Sequence, residues 1–195
     1  MHISIEGFDG VGKTTAAKLL AEKTGFIFVE KPLKYLFDPN GGIKEYLRIR
    51  DYFNEISPQN PNLSACFYGL GNMYIYQKFK DQDIVTDRHI LSNYAWSGTN
   101  ESIAFFDTLY SIVNNPSFTF ILYADAESIL NRLQSRDAED SDIKKVTKIK
   151  NIYEKMEYFA KKHNMPYLLL DSTNKSPEQI VDTMIETLRK EGVLS

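Results

Sequence analysis

One cysteine, one tryptophan and three histidines in 195 residues leave little material for covalent cross-links or metal cages. Cys66 alone cannot form an internal disulfide, and His2, His89 and His163 fit no zinc-site spacing. A reducing, cytoplasmic setting is therefore expected. Positive charge is not in excess either. Lys and Arg number 23 against 26 Asp and Glu, a net charge of -3, so neither nucleic acid nor an acidic membrane is expected as a partner. No apolar run approaches the length of a membrane span. Repeats, low-complexity segments and linkers are missing, and Met1 to Glu6 alternates like a strand running straight into a glycine loop, so no signal or transit peptide is expected. What is present, 43% hydrophobic residues in a chain of this length, suits one compact domain over residues 1–195.

Five short apolar runs predict strands: Ile3 to Glu6, Phe26 to Val29, Ile84 to Thr86, Phe118 to Tyr123 and Tyr167 to Leu170. Several are apolar on both faces, as in a buried parallel sheet. Between them apolar residues recur at helical spacing, as in Ile149, Ile152, Tyr153, Met156, Phe159 and Ala160. The last helix carries its own start signal: Ser176 as cap, Pro177 at the first helical position and Gln179 where a capping box needs it. Strands alternating with helices predict an α/β fold with a doubly wound, five-stranded parallel sheet.

Gly7-Phe8-Asp9-Gly10-Val11-Gly12-Lys13-Thr14 satisfies G-x-x-x-x-G-K-[ST] between a predicted strand and a predicted helix. Such a loop turns successive backbone N–H groups onto phosphate oxygens at the positive end of a helix. Lys13 should reach the β- and γ-phosphates, and the Thr14 hydroxyl can ligate Mg²⁺. After the third strand, Asp87-Arg88-His89 falls where a parallel sheet delivers side chains to its crevice. There Asp87 can hold a Mg²⁺ water or orient an acceptor oxygen, and Arg88 can neutralise a phosphate; a salt bridge pinning a helix start is the plainer alternative. Arg132 and Arg136 lead into the polar stretch Asp137 to Asp142, which reads as a short lid over about residues 136–143 or as a solvated helix face.

With these residues in view, the sequence resembles the thymidylate kinase family, and more distantly the deoxynucleoside kinases. The resemblance rests on Ile5 to Thr15, on Thr86 to Trp96, on Arg132 to Arg136, and on Leu170-Asp171-Ser172 with Ser176-Pro177-Glu178. It implies a P-loop nucleoside or nucleotide kinase fold and a homodimer, with Mg²⁺ held at Thr14 and Asp87 and ATP as donor. ATP would be bound by Gly7, Asp9, Gly10, Val11, Gly12, Lys13, Thr14, Thr15, Arg132 and Arg136. Catalysis would fall to Lys13, Asp87, Arg88 and Arg136. The acceptor would meet Asp9, Glu30, Arg48, Tyr68, Asn72, Arg88, Asn93 and Trp96. The family places an Arg four residues after its aromatic platform; here Tyr68 is followed by Asn72, an amide that carries no charge. Ser141 stands where a second basic lid residue is expected.

The implied reaction is ATP-dependent phosphorylation of a deoxynucleoside monophosphate, dTMP + ATP to dTDP + ADP. Glu30-Lys31-Pro32 also fits the glutamate with which deoxynucleoside kinases activate a 5′-hydroxyl, so that alternative stays open. A switch-type or non-catalytic P-loop protein is a further class, but Asn174-Lys175-Ser176-Pro177 lacks the Asp of a guanine-reading N-K-x-D. Phe67, Tyr74 and Tyr76 are expected in core or dimer packing, and Lys144, Lys145, Lys148 and Lys150 on a solvated helix face.

Overall fold

The computed structural model describes residues 1–56, 60–136 and 141–194. Five parallel strands, β1 (His2–Gly7), β2 (Ile27–Glu30), β3 (Ile84–Asp87), β4 (Phe118–Tyr123) and β5 (Tyr167–Asp171), form one sheet in the order β2-β3-β1-β4-β5. β1 is central and buried along its whole length, its polar His2, Ser4 and Glu6 included. The chain winds from β1 out to β2 and back to β3, then crosses to β4 on the other side. Ligands in such sheets bind where the winding reverses, beyond the strand C-termini. Register carries Glu30, Asp87 and the end of β1 to that edge together: Glu30 pairs with Asp87, and Asp87 with Ile5.

Helices α1 (Lys13–Thr24), α2 (Lys34–Phe37), α3 (Lys44–Ile56), α4 (Pro61–Lys78), α5 (Ile90–Ser97), α6 (Ile103–Ile112), α7 (Ala126–Arg136), α8 (Ile149–Lys162) and α9 (Pro177–Lys190) surround the sheet, with a 3-10 segment over Ser141–Lys148. The core packs Ile5, Leu20 and Phe120 with Phe106, Phe159 and Met184 from helices. β2 begins one residue later than its apolar run because Gly25 ends α1 in the left-handed region and the Phe26 N–H turns back to the Ala21 carbonyl at 3.0 Å. α9 starts as its sequence predicts: Gln179 N–H donates to Ser176 Oγ at 3.2 Å, and Ser176 N–H to Gln179 Oε1 at 2.9 Å.

Candidate active site

The glycine loop is shaped by what surrounds it. Gly7 has φ 133°, and a Cβ there would lie 2.2 Å from the Leu122 carbonyl oxygen of β4, so no side chain fits. Gly12 caps α1 with φ 92°, in the left-handed region. Phe8 and Val11 are buried and anchor the loop to the core. Tyr153 of α8 clips it to β4, accepting from the Phe8 N–H at 3.1 Å and donating to the Leu122 carbonyl at 2.7 Å. On the far side Ser172 Oγ donates to the Val11 carbonyl at 2.9 Å, and Arg132 donates to the Ser172 carbonyl at 2.7 Å and the Gly10 carbonyl at 3.5 Å.

Lys13 is 6% exposed, and its ammonium donates to the Phe8 carbonyl at 2.5 Å within the loop. Burial, aided by the neighbouring Arg88 guanidinium, pulls its pKa down to about 8. Thr14 and Thr15 are exposed in the first turn of α1. Thr14 Oγ1 donates to Asp87 Oδ2, and Asp87 Oδ1 is buried with no hydrogen-bond partner among the described residues. A hydroxyl beside a carboxylate with a spare oxygen suits a hard cation that keeps its waters and takes few protein ligands. Arg88 sits at φ 75°, strained for a residue with a Cβ, and donates to Asp9 Oδ1, to the Gly7 carbonyl at 3.2 Å and to Ser92 Oγ at 3.2 Å. Burial alone would push Asp9 up, but Arg88, Lys13 and Lys145 hold it below the usual carboxylate range.

These groups open onto a cavity of about 850 Å³. Of the residues expected at the acceptor, Asp9, Glu30, Tyr68, Asn72, Arg88, Asn93 and Trp96 line it. Arg48 does not: its side chain is 70% exposed on α3 and pairs with Glu45 at 3.0 Å, since the helix turns that position to solvent. Glu30 faces the cavity with Lys31 at 3.1 Å and Lys34 at 3.6 Å; burial would raise its pKa, and these lysines lower it. Phe67 lies in the core, stacked on Phe53 with ring centroids 4.4 Å apart. His89 is buried, its neutral imidazole held down to about 3 by burial. The Arg136 side chain and residues 137–140, most of the expected lid, lie outside the described residues.

The reading of the four lysines as a solvated face needs correction at Lys145; Lys148 and Lys150 are exposed, and the Lys144 side chain lies outside the described residues. Lys150 is exposed and pairs with Glu154 at 3.8 Å, but Lys145 and Lys148 line the cavity, with the Lys145 ammonium 5.6 Å from the Trp96 ring centre. Lys145 is half-buried in its 3-10 segment, whereas Lys148 stays exposed where it borders the cavity. Glu6 also escaped the motif reading. Fully buried, its carboxylate accepts from His89 N–H at 2.9 Å, Ser92 N–H at 3.2 Å, Ser4 Oγ at 3.1 Å and Ser92 Oγ, capping the first turn of α5. The available signal was an acid on a strand expected to be buried at the centre of the sheet.

The family model for thymidylate kinase matches residues 5–185. The chain belongs to the thymidylate kinase family. Family membership makes it a nucleotide kinase, a phosphotransferase. A probable thymidylate kinase of Methanocaldococcus jannaschii is 28% identical over 196 residues, covering 97% of this chain and 96% of that protein. Among solved structures, thymidylate kinase from Ehrlichia chaffeensis aligns with TM-score 0.64 at 20% identity, covering 96% of this chain and 98% of the other. Deoxyadenosine kinase from M. mycoides with bound dCTP aligns with TM-score 0.66 at 14% identity, covering 97% and 100%. Likeness at these identities establishes a shared fold. No described helix is long and apolar enough to cross a membrane.

Proposed function

We propose that this family member transfers the γ-phosphoryl group of ATP to dTMP, giving dTDP and ADP. The observation that carries the reading is Arg88, held in a left-handed conformation with its guanidinium in the cavity between Asp9 and Ser92, where an acceptor phosphate can meet it. The loop N–H groups and Lys13 bind the donor phosphates, and Lys13 follows the charge that develops on the transferring group. Mg²⁺ would be held by Thr14 directly and by Asp87 directly or through water, neutralising the donor phosphates when bound. Arg132 braces the loop at the Gly10 carbonyl, and Arg136 would approach the γ-phosphate from the lid at 136–143.

An acceptor phosphate needs no base, because its second pKa is about 6 and the attacking oxygen is already ionised near neutral pH. Glu30, tied to two lysines, then serves to orient positive charge at the cavity rather than to take a proton. In this reading residues 1–195 act as one kinase unit, working as a homodimer in a cytoplasmic setting. Leu63, Cys66, Leu70 and Met73 lie exposed on one face of α4, a helix that is also apolar on its inner face, as a second copy of that helix would require.

Incubating the protein with ATP, Mg²⁺ and each deoxynucleoside or deoxynucleoside monophosphate tests the reading. Conversion of dTMP to dTDP ahead of thymidine to dTMP is the expected result. Preference for nucleosides would replace it with the alternative in which Glu30 activates a 5′-hydroxyl.

A further inference from the structure

The peptide that joins Gly7 to Phe8 is held at both ends by side chains. The Arg88 backbone N–H donates to the Ile5 carbonyl at 3.0 Å, so the β1–β3 ladder runs one residue past β3. The Arg88 guanidinium then takes the next β1 carbonyl on that side, donating to Gly7 at 3.2 Å. On the other side Gly7 lies opposite Leu122, and the next rung between β1 and β4 would run from the Phe8 N–H to the Leu122 carbonyl. Tyr153 of α8 opens that rung. Its hydroxyl stands between the two groups, accepting from the Phe8 N–H at 3.1 Å and donating to the Leu122 carbonyl at 2.7 Å. Burial pushes the Tyr153 pKa up to about 12, so the hydroxyl keeps the proton that this bridge requires. The Gly7 carbonyl and the Phe8 N–H belong to one rigid plane and point in opposite directions. Whatever sets the N–H therefore sets the carbonyl, and with it the guanidinium.

We propose that Tyr153 is a positioning residue for the acceptor phosphate, acting on Arg88 through the Gly7–Phe8 peptide. Tyr153 is not among the residues that line the cavity, so its effect on a ligand has to pass through another group. Without the hydroxyl, a buried donor and a buried acceptor face each other unpaired, which costs free energy until they meet. Closing the rung directly pairs them. That closure turns the shared peptide, which Gly7 permits because it has no Cβ, and draws the Gly7 carbonyl away from Arg88. Asp9 and Ser92 still hold the guanidinium, so the expected loss is smaller than that of removing the arginine. The inference rests on the nucleotide-kinase reading above, because it takes the ligand of Arg88 to be an acceptor phosphate.

The experiment is a double-mutant cycle between Tyr153→Phe and Arg88→Ala, read as the Kd of dTMP and of thymidine by titration calorimetry, with the melting temperature of each protein alongside. In Tyr153→Phe, which keeps the ring, dTMP should weaken about tenfold while thymidine stays within about threefold of wild type. In the Arg88→Ala background the same substitution should change dTMP by less than about twofold, because the group it acts through is gone. A merely structural hydroxyl would weaken both ligands, or weaken dTMP equally with and without Arg88. Either result overturns the proposal, as does a Tyr153→Phe protein that does not fold or that binds dTMP within about threefold of wild type. If Arg88→Ala does not fold, the split between dTMP and thymidine in Tyr153→Phe decides alone. Failure of the underlying reading looks different: wild type would then bind dTMP no more tightly than thymidine, and the proposal would fall with it.

Discussion

Lys13 shows how a single residue can favour chemistry over stability. Its ammonium is buried, beside Arg88, with a pKa of about 8, below the ordinary lysine value of about 10.4. A lowered pKa means that the folded state binds the proton less well than the unfolded chain does. The charged lysine therefore opposes folding below about pH 8, and the penalty is relieved as pH rises from there toward the unfolded value. Lys13→Met should cut phosphoryl transfer by about a hundredfold or more without lowering the melting temperature of the unliganded protein at pH 7. Retention of a tenth of the wild-type rate would count against the assigned role. Wild-type affinity for ATP should also weaken as pH passes about 8, and Lys13→Arg, which keeps its charge, should lose that limb. The loop residues could be read from sequence because their chemistry is local: eight consecutive residues contain the turn, the cation and the hydroxyl. Arg48 could not, because its exposure depends on which face of α3 meets α4.

At the scale of elements, the unit that places Arg88 is the junction of β1, β3 and α5. Glu6 receives N–H groups from the first turn of α5, whose positive end offsets the buried anion. Burial raises the Glu6 pKa, an effect opposed by hydrogen bonds from Ser92 and by Arg88. Ser92 then passes the constraint to Arg88 at 3.2 Å. In Glu6→Gln, the amide N–H₂ must face a backbone N–H, donor against donor. Thermal or denaturant unfolding should report a loss of about 1–3 kcal/mol. The KM for the acceptor should rise with it, because Arg88 loses its support; unchanged stability and KM would remove Glu6 from this role. All five strands were legible to within a residue or two because each is a short apolar run, although only the inner strands β1, β3 and β4 are largely buried and the edge strands β2 and β5 are partly exposed. Lys145 was misjudged because helical spacing was assumed for a segment that winds as a 3-10 helix and sets it half-buried against the cavity.

At the scale of the whole molecule, the C-terminal edge of the sheet gathers charge from β1, β2 and β3, while α4 and α5 build a neutral pocket opposite it. Asn72 and Asn93 are 21 positions apart in sequence, so their contact was invisible until the helices packed. The exposed stripe on the outer face of α4 assigns the same helix a second task, as the proposed dimer contact. Leu70→Glu places a charge in the middle of that stripe, and sedimentation should then show monomers where the wild type shows dimers. A wild-type monomer at micromolar concentration would contradict the dimer. The central claim is that the cavity holds a nucleoside monophosphate with its phosphate on Arg88. Quenching of Trp96 by dTMP and by thymidine, in wild type and in Arg88→Ala, measures this directly. Wild type should bind dTMP the more tightly, and Arg88→Ala should weaken dTMP by about a hundredfold while leaving thymidine within about threefold. Equal losses for both ligands would contradict the account, assigning Arg88 to the fold or to the donor instead.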